Sequence, residues 1–77
     1  MPTVMRIGPF RFYFYSHEPN EPPHVHIDRG DATIKVWLAN CEVAKSRGFR
    51  AHEINDIVKL VAEHRETLTE AWHEYFG

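Results

Sequence analysis

The sequence predicts an α+β domain in which a four-stranded antiparallel sheet of two β-hairpins is covered on one face by a long C-terminal helix. Two pairs of short segments rich in β-branched and aromatic residues are each joined by a turn that contains glycine. Apolar residues then recur every three or four positions from Ala51 to Tyr75, which is typical of an amphipathic helix. The length of 77 residues favours a single domain over residues 1–77.

The first predicted hairpin pairs residues 3–7 with residues 10–16 across a turn at Gly8-Pro9. Glycine accepts the positive φ of the first turn position, and proline is tolerated at the second. The register imposed by this turn places Met5 opposite Phe12 and gathers the apolar side chains on one face. The side chains on the other face are basic or aromatic: Arg6, Arg11, Tyr13 and Tyr15.

The second predicted hairpin pairs residues 24–28 with residues 32–38 across a turn at Arg29-Gly30. A two-residue turn at that position places His24 opposite Lys35. This hairpin separates its side chains as the first one does, into an apolar face and a polar face. We expect the polar face to lie in water, and it carries His24, His26, Lys35 and Trp37.

Residues 39–50 connect the predicted sheet to the helix, and residues 40–47 are compatible with a short helix that Asn40 caps. The long helix is predicted over residues 51–75. At about 1.5 Å per residue it is roughly 37 Å long, whereas a six-residue strand spans only about 20 Å. We therefore expect the last apolar side chains to extend beyond the sheet and to bind a partner. These side chains are Leu68, Trp72, Tyr75 and Phe76.

Charge is distributed unevenly along the chain. The first 50 residues carry seven Lys and Arg against five Asp and Glu, whereas residues 51–77 carry two against six. The net charge of −2 excludes non-specific attraction of the whole molecule to nucleic acid. One cysteine cannot form an internal disulfide. There is neither a long apolar run nor a signal-peptide pattern, so we expect a cytoplasmic protein that does not contact a membrane.

Three polar side chains suggest catalytic chemistry. His24 and His26 are two residues apart on one strand, so both imidazoles project from the same face. Metal-independent RNA cleavage requires an acid, a base and a cation. The two imidazoles would supply the acid and the base, and the ammonium of Lys35 beside them would supply the cation. Alternatively, His24, His26 and Asp28 are a candidate zinc site, which the nearby ammonium disfavours. Both alternatives stay open, as does the question of whether the chain is an enzyme, and no cofactor is expected.

The basic and aromatic residues of the polar face are typical of a surface on which bases stack and cations hold phosphates. The acidic helix on the opposite side leaves only this face attractive to RNA. The other interpretation is that a proline-rich loop at residues 17–23, or a protein, covers the same face. The residues predicted to contact nucleic acid are Arg6, Arg11, Tyr13, Tyr15 and Trp37.

Four stretches of the sequence are distinctive: residues 1–16, Glu21-Pro-Pro-His-Val-His26, Arg47-Gly48-Phe49 and Trp72-His-Glu-Tyr-Phe76. Together they resemble a family of small bacterial domains, the domain of unknown function family numbered 4160. The resemblance covers nearly the whole chain. It implies no settled activity, but it implies a gene setting similar to that of toxin–antitoxin pairs. We therefore expect a member of such a pair that binds RNA and a protein, either a small partner encoded nearby or a second copy of itself.

Overall fold

A computed structural model describes residues 3–15 and 20–77 of the chain. Within these residues, five strands form one antiparallel sheet in the order of the sequence. The strands are β1 (Thr3–Ile7), β2 (Phe10–Tyr13), β3 (His24–Arg29), β4 (Ala32–Trp37) and β5 (Val43–Arg47). They are followed by the helices α1 (Ala51–Glu63) and α2 (Arg65–Phe76). The predicted α+β class and antiparallel sheet are confirmed, with five strands in place of four and two helices in place of one.

The first hairpin has the predicted register. Met5 lies opposite Phe12, and only between Met5 and Thr3 does the register shift, so that Thr3 lies opposite Tyr13. Strand β2 ends at Tyr13, whereas the prediction extended it to Ser16. Ser16 and the first part of the predicted proline-rich loop, residues 17–19, lie outside the described residues.

The second hairpin turns at Gly30-Asp31, one residue later than predicted. The predicted opposition of His24 and Lys35 is therefore wrong, and His24 lies opposite Trp37. Glycine takes the first loop position with φ of 59°, a conformation that a type II′ turn requires there and that other residues rarely adopt. Because the pairing partner of each residue shifts by two positions and side chains alternate with a period of two, the later turn moves no side chain to the other face of the strand. His24, at the start of β3, nevertheless packs against Trp72 of α2, with ring centroids 5.0 Å apart.

The predicted short helix at residues 40–47 is wrong, because most of that segment forms β5. The backbone N–H of Cys41 donates to the Trp37 carbonyl at 2.9 Å, which reverses the chain directly after β4. Asn40 caps no helix, and its side-chain oxygen accepts a hydrogen bond from the Glu42 N–H at 3.0 Å. The outer edge of β4 offers a row of unpaired backbone groups, and β5 satisfies them.

The core lies between the apolar face of the sheet and the two helices. Its buried side chains are Phe12, Phe14, Val25, Ile27, Ile34, Val36 and Leu38 from the sheet region, with Ile57, Val61, Leu68 and Trp72 from the helices. The predicted apolar face is therefore confirmed. Neither helix has the length and hydropathy that crossing a membrane requires, among the residues that the structure describes.

The predicted single helix is interrupted at His64, whose φ of −107° and ψ of 12° lie outside the helical range. The hydrogen-bond ladder continues across it, from the His64 N–H to Leu60 at 3.1 Å and from the Leu68 N–H to His64 at 2.9 Å. The interruption is therefore a kink. Leu68 and Trp72 are buried at 0% and 5% exposure, so the predicted overhang of these two residues is wrong. The bent helix keeps contact with the sheet where a straight one would leave it.

Candidate nucleic-acid interface

The strand register arranges the polar side chains of the sheet in two neighbouring rows. The first row runs across Tyr13, His26, Lys35 and Lys45. The second row runs across Arg11, Asp28, Thr33 and Arg47. Both rows lie on the face opposite the helices, because the residues that alternate with them form the core. Four strands, β2 to β5, therefore build this polar face.

Most of the first row is buried, so the expectation that the whole polar face lies in water is wrong. The exposed fractions are 3% for Tyr13, 5% for His26 and 9% for Lys35. The rings of Tyr13 and His26 are stacked with centroids 5.4 Å apart, and the ring of Tyr15 meets that of His26 edge-on at 4.3 Å. The rings of Tyr13, His26 and Tyr15 therefore cover one another and leave little of the surface of Tyr13 and His26 exposed.

Tyr13, predicted to stack on a base, is an internal residue. Its hydroxyl donates a hydrogen bond to Asp28 Oδ1 at 3.0 Å. Burial, together with hydrogen bonding and the charge of the Asp28 carboxylate, raises the pKa of this phenol well above its ordinary value. The guanidinium carbon of Arg11 lies 4.5 Å from the ring centroid. Tyr13 therefore contacts both Asp28 and Arg11, and has little exposed surface of its own.

The other residues predicted to contact nucleic acid keep part of their surface. Arg6 is exposed, and Arg11, Tyr15 and Trp37 are half-buried. The Nε of Arg11 donates a hydrogen bond to Thr3 Oγ1 at 2.9 Å, so part of its donor capacity is used within the first hairpin.

His24 is fully buried, which counts against the acid–base role predicted for it. Its Nδ1 lies 2.9 Å from the Pro22 carbonyl oxygen, and because a carbonyl only accepts, Nδ1 carries the proton. Aromatic rings enclose the imidazole, with centroid distances of 5.6 Å to Trp37 and 5.0 Å to Trp72. A general acid or base must reach its substrate. The structure therefore gives no support to a ribonuclease that uses both imidazoles.

Lys35, the predicted catalytic cation, already has an anionic partner. Its Nζ lies 2.5 Å from Glu21 Oε1 and 4.7 Å from the centroid of the Trp37 ring. The three predicted catalytic residues do come together, since the rings of His24 and His26 are 5.1 Å apart and Lys35 lies opposite His26. Of the three, His24 is fully buried, and His26 and Lys35 keep only 5% and 9% of their surface exposed.

The zinc alternative also lacks support in the described part of the chain. No three side chains of His, Cys, Asp or Glu are arranged there to hold a metal ion. Asp28, the third ligand of that alternative, lies in the second row, whereas His26 lies in the first. The carboxylate of Asp28 accepts a hydrogen bond from the Tyr13 hydroxyl.

Two clefts open on the polar face. The first, which we call the basic cleft, has a volume of about 250 Å³ and is lined by Tyr15, His26, Thr33, Lys35, Lys45 and Arg47 among others. The second, which we call the acidic cleft, has a volume of about 500 Å³ and is lined by Tyr13, Tyr15, Asp28, Asp31, Thr33 and Arg47 among others. Tyr15, Thr33 and Arg47 line both clefts and therefore lie at their boundary.

Lys45 and Arg47 are the functional candidates that the sequence interpretation missed. Both lie on β5 and are exposed. Their spacing of two residues places both side chains on one face of a strand, but on different faces of a helix. The two-residue spacing is visible in the sequence, but it indicates a shared face only if residues 43–47 are interpreted as a strand.

The residues predicted to bind a partner separate into two pairs. Leu68 and Trp72 belong to the core, and Trp72 packs on Phe14 with ring centroids 5.3 Å apart. Tyr75 is 44% exposed, and Phe76 is half-buried. Tyr75 also lines a cleft of about 340 Å³ between α2 and the first hairpin. Of the four residues, these last two offer surface to another molecule.

The structure defines the class of the protein as a small α+β domain. Its antiparallel five-stranded sheet has helices on the apolar face and clefts of opposite charge on the polar face. Within that class, the chain belongs to the family described as Domain of unknown function (DUF4160), whose sequence model matches residues 10–73. The predicted family is thus confirmed. No curated protein and no solved structure matches the chain.

Proposed function

We propose that this domain binds single-stranded nucleic acid through the basic cleft. One observation carries the proposal: Lys45 and Arg47 line the same cleft as the half-buried ring of Tyr15. Proteins that bind single strands use this combination, because cations hold the phosphates while aromatic rings stack on the bases.

The charges of β5 are more available to a ligand than those of the central strands. Lys45 and Arg47 are exposed, whereas the ammonium of Lys35 is paired with Glu21. The region that contains both helices, residues 51–77, carries two basic and six acidic residues. A polyanion is therefore attracted to the polar face and repelled from the helical side, which orients the ligand.

The proposal is tested with a fluorescently labelled uridine oligoribonucleotide in an anisotropy titration. Lys45→Glu is expected to weaken binding by about tenfold or more at low salt, and to reduce the slope of log affinity against log salt by about 0.7, one phosphate contact. The matched control is Lys59→Glu, which makes the same charge change at an exposed position of α1.

The comparison of the two variants decides the result. Affinity that falls equally in both variants would mean that only net charge matters, and the cleft would not be the site. An absence of binding by the parent protein at low salt would refute the proposal directly.

We further propose that the domain acts as a member of a toxin–antitoxin-like pair and binds a protein through Tyr75 and Phe76. The exposed ring of Tyr75 beside the cleft formed with Phe14 and Ala71 supports this, as does the gene setting that the family resemblance implies. Co-expression with the adjacent gene product should yield a complex that Tyr75→Glu disrupts and Glu66→Gln does not. Light scattering on the purified domain distinguishes that partner from a second copy of the chain, and a monomer that captures nothing would contradict the proposal.

A further inference from the structure

The acidic cleft adjoins the proposed phosphate site and contains two carboxylates, those of Asp28 and Asp31. A carboxylate beside a phosphate site weakens the binding of a ligand that offers only negative charge. The ligand that suits both clefts carries hydrogen-bond donors close to its phosphate. A ribonucleotide does so, because its 2′-hydroxyl can donate.

We propose that Asp28 makes the site selective for RNA over DNA by accepting a hydrogen bond from a ribose 2′-hydroxyl, while Arg47 holds the neighbouring phosphate. The inference rests on the proposed function and names the sugar that the same site recognises.

Asp28 is held in place before any ligand arrives. Its Oδ1 accepts the Tyr13 hydroxyl at 3.0 Å, and Tyr13 is itself 3% exposed and stacked on His26. The second carboxylate oxygen of the half-buried Asp28 accepts no hydrogen bond from the residues that the structure describes. A fixed acceptor loses little conformational entropy on binding, so it discriminates well between ligands.

Asp28 and Arg47 lie in the same row of side chains across the sheet. Asp28 lies opposite Thr33, and Thr33 lies opposite Arg47, so the three residues are neighbours on successive strands. Two strand spacings separate β3 from β5 by about 10 Å. The long side chain of Arg47 and the short one of Asp28 extend from the same face, so their charged ends can approach the phosphate and the sugar of a single nucleotide.

Anisotropy titrations with labelled uridine oligonucleotides of three sugar types test the inference. The sugars are ribose, deoxyribose and 2′-fluororibose, which keeps an RNA-like ring pucker but has no hydroxyl to donate. The ribose form is expected to bind about tenfold more tightly than either of the others, the effect of one hydrogen bond to a charged group. All three oligonucleotides carry the same base, so any selectivity among them must come from the sugar.

Asp28→Asn is nearly isosteric and keeps an acceptor for the Tyr13 hydroxyl. The amide NH2 then faces the ligand and cannot accept from the ribose hydroxyl. Any remaining hydrogen bond is neutral and roughly half as strong as a charge-assisted one, so the selectivity should fall to about threefold or less. The substitution should also strengthen DNA binding, since it removes a negative charge from the cleft. The matched control, Asp56→Asn at an exposed position of α1, should leave the parental selectivity unchanged.

The outcomes separate the two proposals. Equal binding of all three oligonucleotides would leave the proposed function standing and overturn this inference, as would tenfold selectivity that survives in Asp28→Asn. Failure of every oligonucleotide to bind would refute the proposed function, and the inference with it.

Discussion

Replacing Leu68 with alanine tests whether α2 packs on the sheet or extends away from it. Leu68 is 0% exposed and lies in the core with Phe14 and Trp72. The substitution removes three carbon atoms and leaves a cavity between α2 and the sheet, which costs about 2–5 kcal/mol for a fully buried leucine. A 77-residue domain has a free energy of unfolding of only about 4–12 kcal/mol. The loss is therefore a large part of the total.

The assay is urea unfolding followed by circular dichroism. With a slope of about 1 kcal/mol per molar urea, a loss of about 3 kcal/mol lowers the midpoint by about 3 M. Thr67→Ala changes the exposed neighbour on the same helix and should alter the free energy of unfolding by less than about 0.5 kcal/mol. A loss below about 1 kcal/mol for Leu68→Ala would mean that α2 projects from the sheet, and would refute the packing described above.

Further variants test other contacts by the same unfolding assay. The Arg29 guanidinium, 2.5 Å from Glu53, holds the pKa of that carboxyl below its ordinary 4.5, so this stabilisation is present above pH 4.5 and is lost as pH falls through the lower, folded-state value. The midpoints of Glu53→Gln and the parent should therefore converge on acidification, and a constant difference would contradict the ion pair. Burial raises the pKa of Tyr13 above 10.0, so its contribution is present below pH 10 and is lost as pH rises further. Tyr13→Phe should accordingly lose less stability than the parent above pH 10, and parallel curves would count against burial of the phenol. Gly48→Ala should destabilise more than Gly30→Ala, because a Cβ at Gly48 would lie 3.1 Å from β4 whereas the one at Gly30 meets open space, and both have positive φ. Equal losses would show that β4 yields to the added methyl group.

The hairpins could be predicted from sequence because their signals are local. Turn glycines and alternating apolar residues lie within a few positions of one another, so the faces of the strands follow directly. The second register was wrong because the loop could begin at either Arg29 or Gly30. That error did not affect which residues share a face, since it displaced the pairing by an even number of positions.

The fifth strand and the kink could not be predicted because their causes are not local. Residues 43–47 are exposed throughout and contain little that favours a strand, yet they pair with the edge of β4. At the kink, the burial of Leu68 and Trp72 depends on Phe14, more than 50 residues earlier in the chain. A helical period predicts which side of the helix is apolar, but the direction in which the helix bends depends on the surface that it meets.

Alternation predicts the face on which a side chain lies but not how deeply it is covered, and this difference changed the candidate site. Strand β3 has a neighbour on each side, and rings cover both of its imidazoles. Tyr13 of β2 and the following Tyr15 cover His26, whereas Trp37 of β4 and Trp72 of α2 cover His24. Strand β5 is an edge, and its cations have cover from one side only. Residues of the central strand therefore support the face, and those of the edge strand remain free to meet a ligand. The binding chemistry proposed for this domain accordingly depends on Lys45 and Arg47, although the histidines attract more attention in the sequence.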